Sequence, residues 1–120
     1  RLSLAHFCSV VGTFRDVQQR IRERLARFWE QGVRRVVFYG AGEVMDVSYT
    51  LARGVGMEIV GLVDDDPEKH GERRGDLVIG APGTINEIQP DAVVMTTFRH
   101  AEEIQARIAK SPAPIRFLEL

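Results

Sequence analysis

RVVFYGAGEVMDVSYTLARGVGMEIVGLVDDD, the stretch from residue 35 to residue 66, decides the fold of this chain. It begins with an apolar run at Val36–Tyr39, breaks at Gly40–Gly42, continues with helical spacing and ends in a second apolar run at Ile59–Val63. Two short apolar runs on either side of a segment with helical periodicity predict a strand, a helix and a second strand parallel to the first. The sequence therefore predicts an α/β domain.

The turn between the first strand and the helix predicts a site for a phosphate group. Gly40 and Gly42 lack a Cβ, so the backbone can turn sharply and come close to a ligand. With Ala41 and Glu43 they lead into the helix, whose free N–H groups and positive dipole end favour an anion. Met45 replaces the third glycine of a GxGxxG pattern, and Glu43 would bring a negative charge near a pyrophosphate. A purely structural turn is therefore the alternative.

Two acidic residues, Asp64 and Asp65, follow the second strand. Asp64 lies 22 positions after Gly42, where a carboxylate accepts hydrogen bonds from ribose hydroxyls in dinucleotide-binding units. Because such a carboxylate repels a 2′-phosphate, it favours NAD over NADP. The alternative is that these acids close a turn before Pro67.

The rest of the chain alternates short apolar runs with helical segments. Further strands are predicted at Leu77–Ile79, Ala92–Met95 and Ile115–Leu118, helices at 84–89 and 100–110, and a loop at 65–76. Strands that alternate with helices form a parallel sheet covered on both faces. We expect a Rossmann-like doubly wound parallel sheet of about five strands in the order 3-2-1-4-5.

Ligands of such sheets bind beyond the carboxyl ends of the strands, where the strand order reverses. The residues predicted to contact a cofactor share that position: Gly40, Ala41, Gly42, Glu43, Asp64, Asp65, Gly80, Thr96 and Thr97. For Thr96 and Thr97, capping of the last helix is the alternative to ligand binding.

Residues 1–34 are predicted to be an N-terminal lead and an Arg-rich amphipathic helix, and residues 35–120 the nucleotide-binding domain. The segment 1–35 carries eight arginines against three acidic residues, a net charge of +5. We expect these arginines to form a solvated helix face. The alternative, a contact of this face with nucleic acid, is not expected. The apolar stripe of the helix includes Phe28 and Trp29 and is wide, which predicts a contact with the core and, where the sheet cannot cover it, a homodimer contact.

The composition is that of an ordinary soluble globular domain. The chain has 120 residues, 44% of them hydrophobic and 28% charged, with a net charge of −1. The sequence has no apolar run long enough for a membrane span. The single cysteine, Cys8, cannot form an internal disulfide, so a reducing, cytoplasmic setting is expected. Because the chain begins with Arg1, we expect it to be a piece of a longer protein.

Motifs of catalysis are missing from the sequence. Tyr49 is followed four positions later by Arg53, so the Tyr-x-x-x-Lys pair of short-chain dehydrogenases is absent. There is also no nucleophile elbow, no Walker lysine and no cluster of metal ligands. We therefore predict no catalytic or metal-binding residues and no catalytic activity of this chain on its own.

The segments VVFYGAGEVM, EIVGLVDDDPEKHGERRGDLVIGAPGTI and DAVVMTT resemble the Rossmann-type domain at the front of bacterial nucleotide-sugar dehydratases and sugar transferases of polysaccharide synthesis. They are also similar to the CoA-binding-like superfamily, which includes the amino-terminal domains of sugar O-acyltransferases and the NAD-binding part of redox-sensing repressors. The resemblance covers residues 35–118. It implies phosphate contacts at Gly40 and Gly42 and a ribose carboxylate at Asp64.

The function expected from these observations is that of an accessory or regulatory domain that binds NAD(H) or a nucleotide-sugar. NAD is the expected cofactor, with a nucleotide-sugar or CoA as alternatives, and no membrane association is expected. Two other functions are open. One is a ligand-sensing domain of a transcription regulator, and the other is a dimerisation or interaction module that binds no ligand.

Overall fold

A twisted β-sheet with helices on both faces forms the body of the protein, in a computed structural model that describes residues 14–96 and 116–120. In chain order the elements are α1 (Phe14–Glu30), β1 (Arg35–Tyr39), α2 (Glu43–Val55), β2 (Glu58–Val63), a 3-10 helix (Pro67–Lys69), β3 (Arg73–Arg74), β4 (Leu77–Gly80), α3 (Thr84–Ile88), β5 (Ala92–Met95) and β6 (Arg116–Glu119).

Among the described residues, six strands are arranged in the order β3-β4-β2-β1-β5-β6. The strands predicted as one to five are β1, β2, β4, β5 and β6, and they pair in parallel. The predicted order 3-2-1-4-5 is not exact, because β3 adds an antiparallel strand at the edge, within the segment predicted as a loop. Gly75 has a φ of +59° and lies between Arg74 and Leu77, which are paired. A Gly-Asp pair in a two-residue turn is a hairpin signal that the sequence contained.

The two faces of the sheet carry different helices. Helices α1 and α2 cover one face with the buried residues Val17, Ile21, Leu25, Phe28, Val44, Met45, Ser48 and Ala52. Helix α3 covers the other face with Ile85, which packs with Val37, Tyr39, Val63, Val93 and Met95. The predicted α/β class with helices on both faces is therefore confirmed. The helix predicted at 100–110 lies outside the described residues.

Most of the apolar stripe of α1 is covered within the chain, and only Phe14 at its start is a large exposed hydrophobic residue of this helix, at 46% exposure. Phe28 is only 5% exposed. Trp29 is half-buried, with the Arg34 guanidinium 3.6 Å from its ring centroid. The indole also lies over Gly56, where an added Cβ would come within 3.3 Å of it. Since Phe28 and Trp29 both have partners here, these two residues do not support a homodimer contact, and the homodimer remains a prediction.

Gly56 ends α2 in a conformation that other residues adopt at a cost. Its φ is +105°, and its N–H donates to the carbonyls of Ala52 and Arg53 while the N–H of Met57 donates to Ala52. This is the Schellman pattern of helix termination. The left-handed conformation costs a residue with a Cβ about 1–2 kcal/mol.

We expect Gly56→Ala to lower the free energy of unfolding by at least about 1 kcal/mol, because the left-handed strain and the contact with Trp29 add. The matched control is Gly54→Ala, two residues earlier and in open space within α2. That change should raise the stability by about 0.5–1 kcal/mol. Urea denaturation measures both, and the same sign for the two variants would contradict the prediction.

Asp91 anchors the amino ends of β1 and β5. One of its carboxylate oxygens accepts the backbone N–H groups of Arg34 and Arg35, each at 2.9 Å. The two hydrogen bonds, with that of Arg35 the stronger influence, hold the pKa of Asp91 below its ordinary value. Because the folded state favours the ionised form, this residue contributes stability at pH values above its unfolded pKa.

We expect the stability advantage of the native protein over Asp91→Asn to be complete above about pH 5 and to shrink as the pH falls below about 4. Protonation of the carboxylate at low pH removes the charge that the two N–H groups stabilise. Urea denaturation of both proteins between pH 3 and pH 6 measures the difference. A difference that is constant over this range would contradict the assignment.

Candidate functional site

The strand order reverses at β1, which lies between β2 and β5. The carboxyl ends of these parallel strands therefore meet at one edge of the sheet, and ligands of doubly wound folds bind there. The described residues that the sequence predicted for the site are all found at this edge. They are Gly40, Ala41, Gly42 and Glu43 after β1, Asp64 and Asp65 after β2, Gly80 at the end of β4 and Thr96 after β5. Thr97 lies outside the described residues.

The turn after β1 is built from a buried glycine and an uncapped helix end. Gly40 is buried with a φ of +117°, and its N–H donates to the carbonyl of Val63 at 2.9 Å. Gly42 precedes α2 in an extended conformation, and no side chain caps the helix. Glu43, the first residue of α2, is exposed. The residue that precedes α2 therefore offers no side-chain acceptor to the first N–H groups of the helix.

Met45, which departs from the GxGxxG pattern, is 1% exposed and belongs to the core between α2 and the sheet. A small residue at this position normally lets the helix lie close to the strand. In this protein Ser48 and Ala52, each fully buried, present small side chains on the same helix. The Ser48 hydroxyl donates to the carbonyl of Val44 at 2.6 Å. The helix thus accommodates Met45 with small residues one and two turns later.

Asp64 connects the ends of three strands. Its Oδ2 accepts the N–H of Ala41 at 2.6 Å, and its Oδ1 accepts the N–H of Asp66 at 2.8 Å. Its own N–H donates to the carbonyl of Gly80 at 3.2 Å. The side chain is 13% exposed. A carboxylate has about four acceptor positions, so Asp64 retains capacity for ligand hydroxyl groups.

Lys69 joins this site, and the sequence reasoning did not include it. Its Nζ donates to the carbonyl of Ala41 at 3.3 Å and lies 3.8 Å from Oδ2 of Asp64. The 3-10 helix that carries Lys69 begins at Pro67 and is capped by the side chain of Asp66. The Asp-Pro pair was a turn signal, but no local pattern indicates which way a lysine side chain points after such a turn.

The second acid, Asp65, has a different partner. The hydroxyl of Tyr39, a residue that is 1% exposed, donates to Oδ1 of Asp65 at 2.5 Å. Tyr39 packs on the α3 face of the sheet, whereas Ala41 belongs to the core on the α2 face. The two neighbouring carboxylates therefore have different roles: Asp64 contacts the glycine turn, and Asp65 holds Tyr39.

Thr96 supports the turn from the β5 side. It is 4% exposed, and its hydroxyl lies 2.9 Å from the carbonyl of Tyr39 and 2.7 Å from that of Gly40. Its N–H also donates to Tyr39. These bonds fix the end of β1, and ligand binding by Thr96 remains a prediction. Gly80 has room for a Cβ, which would lie 3.7 Å from Thr84.

A groove of about 290 Å³ lies between α2 and the β3–β4 hairpin and is lined by Met45, Asp46, Tyr49, Thr50, Arg74 and Gly75. Arg74 is held there by Glu72 at 2.8 Å and by Asp46 at 2.6 Å. The bond with Glu72, and then that with Asp46, raise the pKa of Arg74 above its ordinary value. This guanidinium is therefore engaged beside α2 and does not line the glycine turn.

The described part of the chain contains no group of three or more residues suited to hold a metal ion. None of its helices combines the length and apolar character required to cross a membrane.

The parallel strand order, the helices on both faces and the glycine turn after β1 define an α/β domain of the Rossmann-like class. The chain belongs to the C2185-like, N-terminal family, whose model matches residues 32–114. No significant relative was found among curated protein sequences.

Solved structures share this fold at low sequence identity. UDP-D-quinovosamine 4-dehydrogenase from Vibrio fischeri is 20% identical, with a TM-score of 0.61 over 73% of this chain and 78% of that one. RSP in complex with β-NADH is 14% identical, with a TM-score of 0.59 over 99% of this chain and 75% of that one. RSP with β-NAD⁺ and operator DNA is also 14% identical, with a TM-score of 0.59 over 100% and 75%.

These matches confirm the Rossmann-like fold, and the similarity to the CoA-binding-like superfamily and to polysaccharide synthesis remains a prediction. Because one RSP structure contains operator DNA, these neighbours lend no support to the expectation that nucleic acid is not a partner.

We expect Thr96→Val to lower the free energy of unfolding by about 1–2 kcal/mol, since it removes a buried hydroxyl donor at nearly unchanged shape. Thr96→Ser keeps the donor and should recover most of this loss. Urea denaturation measures the stabilities. A loss for Thr96→Ser as large as that for Thr96→Val would contradict the prediction that the hydroxyl is the main contribution of this side chain.

Proposed function

We propose that this chain binds NAD(H) or a nucleotide-sugar at the carboxyl edge of its sheet, as an accessory or regulatory domain of a longer protein. The observation that carries the proposal is the 2.6 Å hydrogen bond between the Ala41 N–H and Asp64. It shows that the glycine turn and the acid after β2 are adjacent, as one nucleotide requires of its phosphate and ribose contacts.

The phosphate would lie at the start of α2. A helix N-terminus offers free N–H groups and the positive end of the helix dipole to an anion. In this protein Gly42 supplies no side-chain cap. Gly40 has the positive φ that a sharp turn out of β1 requires. These features favour an anion at the start of α2.

The ribose would lie beside Asp64, whose carboxylate has acceptor positions beyond those used by Ala41 and Asp66. Asp65, Gly80 and Thr96 would complete the edge of the site, and Thr97 is included on the basis of sequence alone. The solved neighbours are consistent with this class of ligand, since RSP is in complex with NADH in one structure and a UDP-sugar enzyme has the same fold. No catalytic role is proposed.

A ligand-sensing domain of a transcription regulator is the second candidate. The observation that favours it is the extent of the similarity to RSP, described as a Rex-family repressor, which covers 100% of this chain and thus includes α1. The sequence of the full-length gene product tests it. A winged-helix or helix-turn-helix segment upstream would support this candidate, and a sugar-enzyme domain downstream would exclude it.

We expect calorimetric titration with NAD⁺, NADH, CoA and a UDP-sugar to show micromolar binding of at least one ligand. Asp64→Ala should weaken that binding by about tenfold or more, since it removes a charged hydrogen-bond acceptor. The control is Asp76→Ala, which removes the same charge from a side chain that is 87% exposed on the hairpin. The control should bind like the native protein. Failure of all four ligands to bind would contradict the proposed function.

Glu43→Gln is expected to tighten ligand binding, a result that loss of structure could not produce because it would weaken binding. Glu43 is exposed at the start of α2, where its charge would repel a phosphate bound as proposed. We expect its neutralisation to tighten binding by roughly two- to tenfold at low salt and by less at high salt. An unchanged dissociation constant would place the phosphate away from the start of α2.

A further inference from the structure

We propose that Lys69 determines whether the site accepts a nucleotide with a phosphate on its ribose. This inference rests on the proposed function, because it concerns the ribose part of the same site. The chemical class of ligand is a nucleotide whose ribose carries a 2′- or 3′-phosphate.

The position of Lys69 carries the inference. Its ammonium group lies 3.8 Å from the Asp64 carboxylate and donates to the carbonyl of Ala41 at 3.3 Å. The two side chains are 19% and 13% exposed, so the pair is largely shielded from water and a small part of each side chain reaches the surface. A lysine ammonium has three donor hydrogens. It therefore has donors for a ligand oxygen while it contacts Asp64 and the turn.

The neighbouring acids face other partners. The Asp65 carboxylate accepts the Tyr39 hydroxyl, and the Asp66 carboxylate accepts the N–H of Glu68 at 3.0 Å. The charges that contact Ala41 are those of Asp64 and Lys69. Since these charges are opposite, the carboxylate of Asp64 beside the glycine turn is compensated by Lys69.

This compensation changes the expected ligand selectivity. An isolated acid after β2 favours a free ribose diol and disfavours a 2′-phosphate. With Lys69 beside it, the repulsion by Asp64 is offset, and a ribose phosphate gains a charge-assisted hydrogen bond. The preference for NAD that follows from Asp64 alone is therefore reduced in this protein. The full preference for NAD should be measured once the charge of Lys69 is removed.

The experiment compares two pairs of ligands that differ only in the ribose phosphate, NADPH with NADH and CoA with dephospho-CoA. Dissociation constants are measured by calorimetry for the native protein and for Lys69→Met, which keeps an unbranched side chain of nearly the same length and removes its charge. In at least one pair, we expect Lys69→Met to weaken the binding of the phosphorylated ligand by about tenfold relative to the binding of the ligand without the phosphate. Lys69→Arg, which retains the charge, should stay close to the native ratio.

Arg53→Met is the matched control, since it removes one positive charge from a side chain that is 59% exposed and paired with Asp76. For each ligand pair, the ratio of the two dissociation constants should equal that of the native protein. If the ligands bind and Lys69→Met leaves the ratio of dissociation constants unchanged in both pairs, this inference is overturned and the proposed function stays intact. A native protein that binds no member of either pair but binds a UDP-sugar would overturn it as well. Absence of any nucleotide binding would overturn both proposals.

Discussion

The hydrogen bond from the N–H of Ala41 to the carboxylate of Asp64 is the contact on which the rest of the site depends. Ala41 is 2% exposed, so its N–H has little access to water and requires a partner inside the protein. A buried N–H without one costs about 1–3 kcal/mol. Asp64 meets this requirement and also accepts from Asp66. The end of β2 and the turn after β1 are thereby fixed relative to each other.

The same contact explains why a requirement of the fold and the proposed ligand site coincide. The carboxylate that satisfies the turn also presents unused acceptor positions at the carboxyl edge of the sheet. Thr96 holds the turn from the opposite side through the carbonyls of Tyr39 and Gly40. The turn is therefore fixed from both neighbouring strands, and the start of α2 is held in a defined position. A phosphate would meet preorganised donors, which lowers the entropic cost of binding.

Local patterns predicted the elements but missed their long-range contacts. The apolar runs and glycine breaks gave the parallel strands and both helices on the α2 face, because hydrophobic periodicity and turn residues act over a few positions. The hairpin at Gly75 was missed although Gly-Asp is a hairpin signal. Lys69 was missed for another reason: its partners Ala41 and Asp64 are brought near by the sheet. Met45 appeared to be a defect, yet Ser48 and Ala52 provide the small helix face.

The sequence by itself determined that this chain forms an α/β domain with a glycine turn after its first strand and an acid after its second. These features follow from side-chain size, periodicity and the conformational freedom of glycine, which are local properties. Only the tertiary structure decided that Asp64 faces the turn, that Asp65 turns to Tyr39, and that Lys69 compensates the charge of Asp64. The direction of each side chain depends on packing and hydrogen bonds between segments that are distant in the chain.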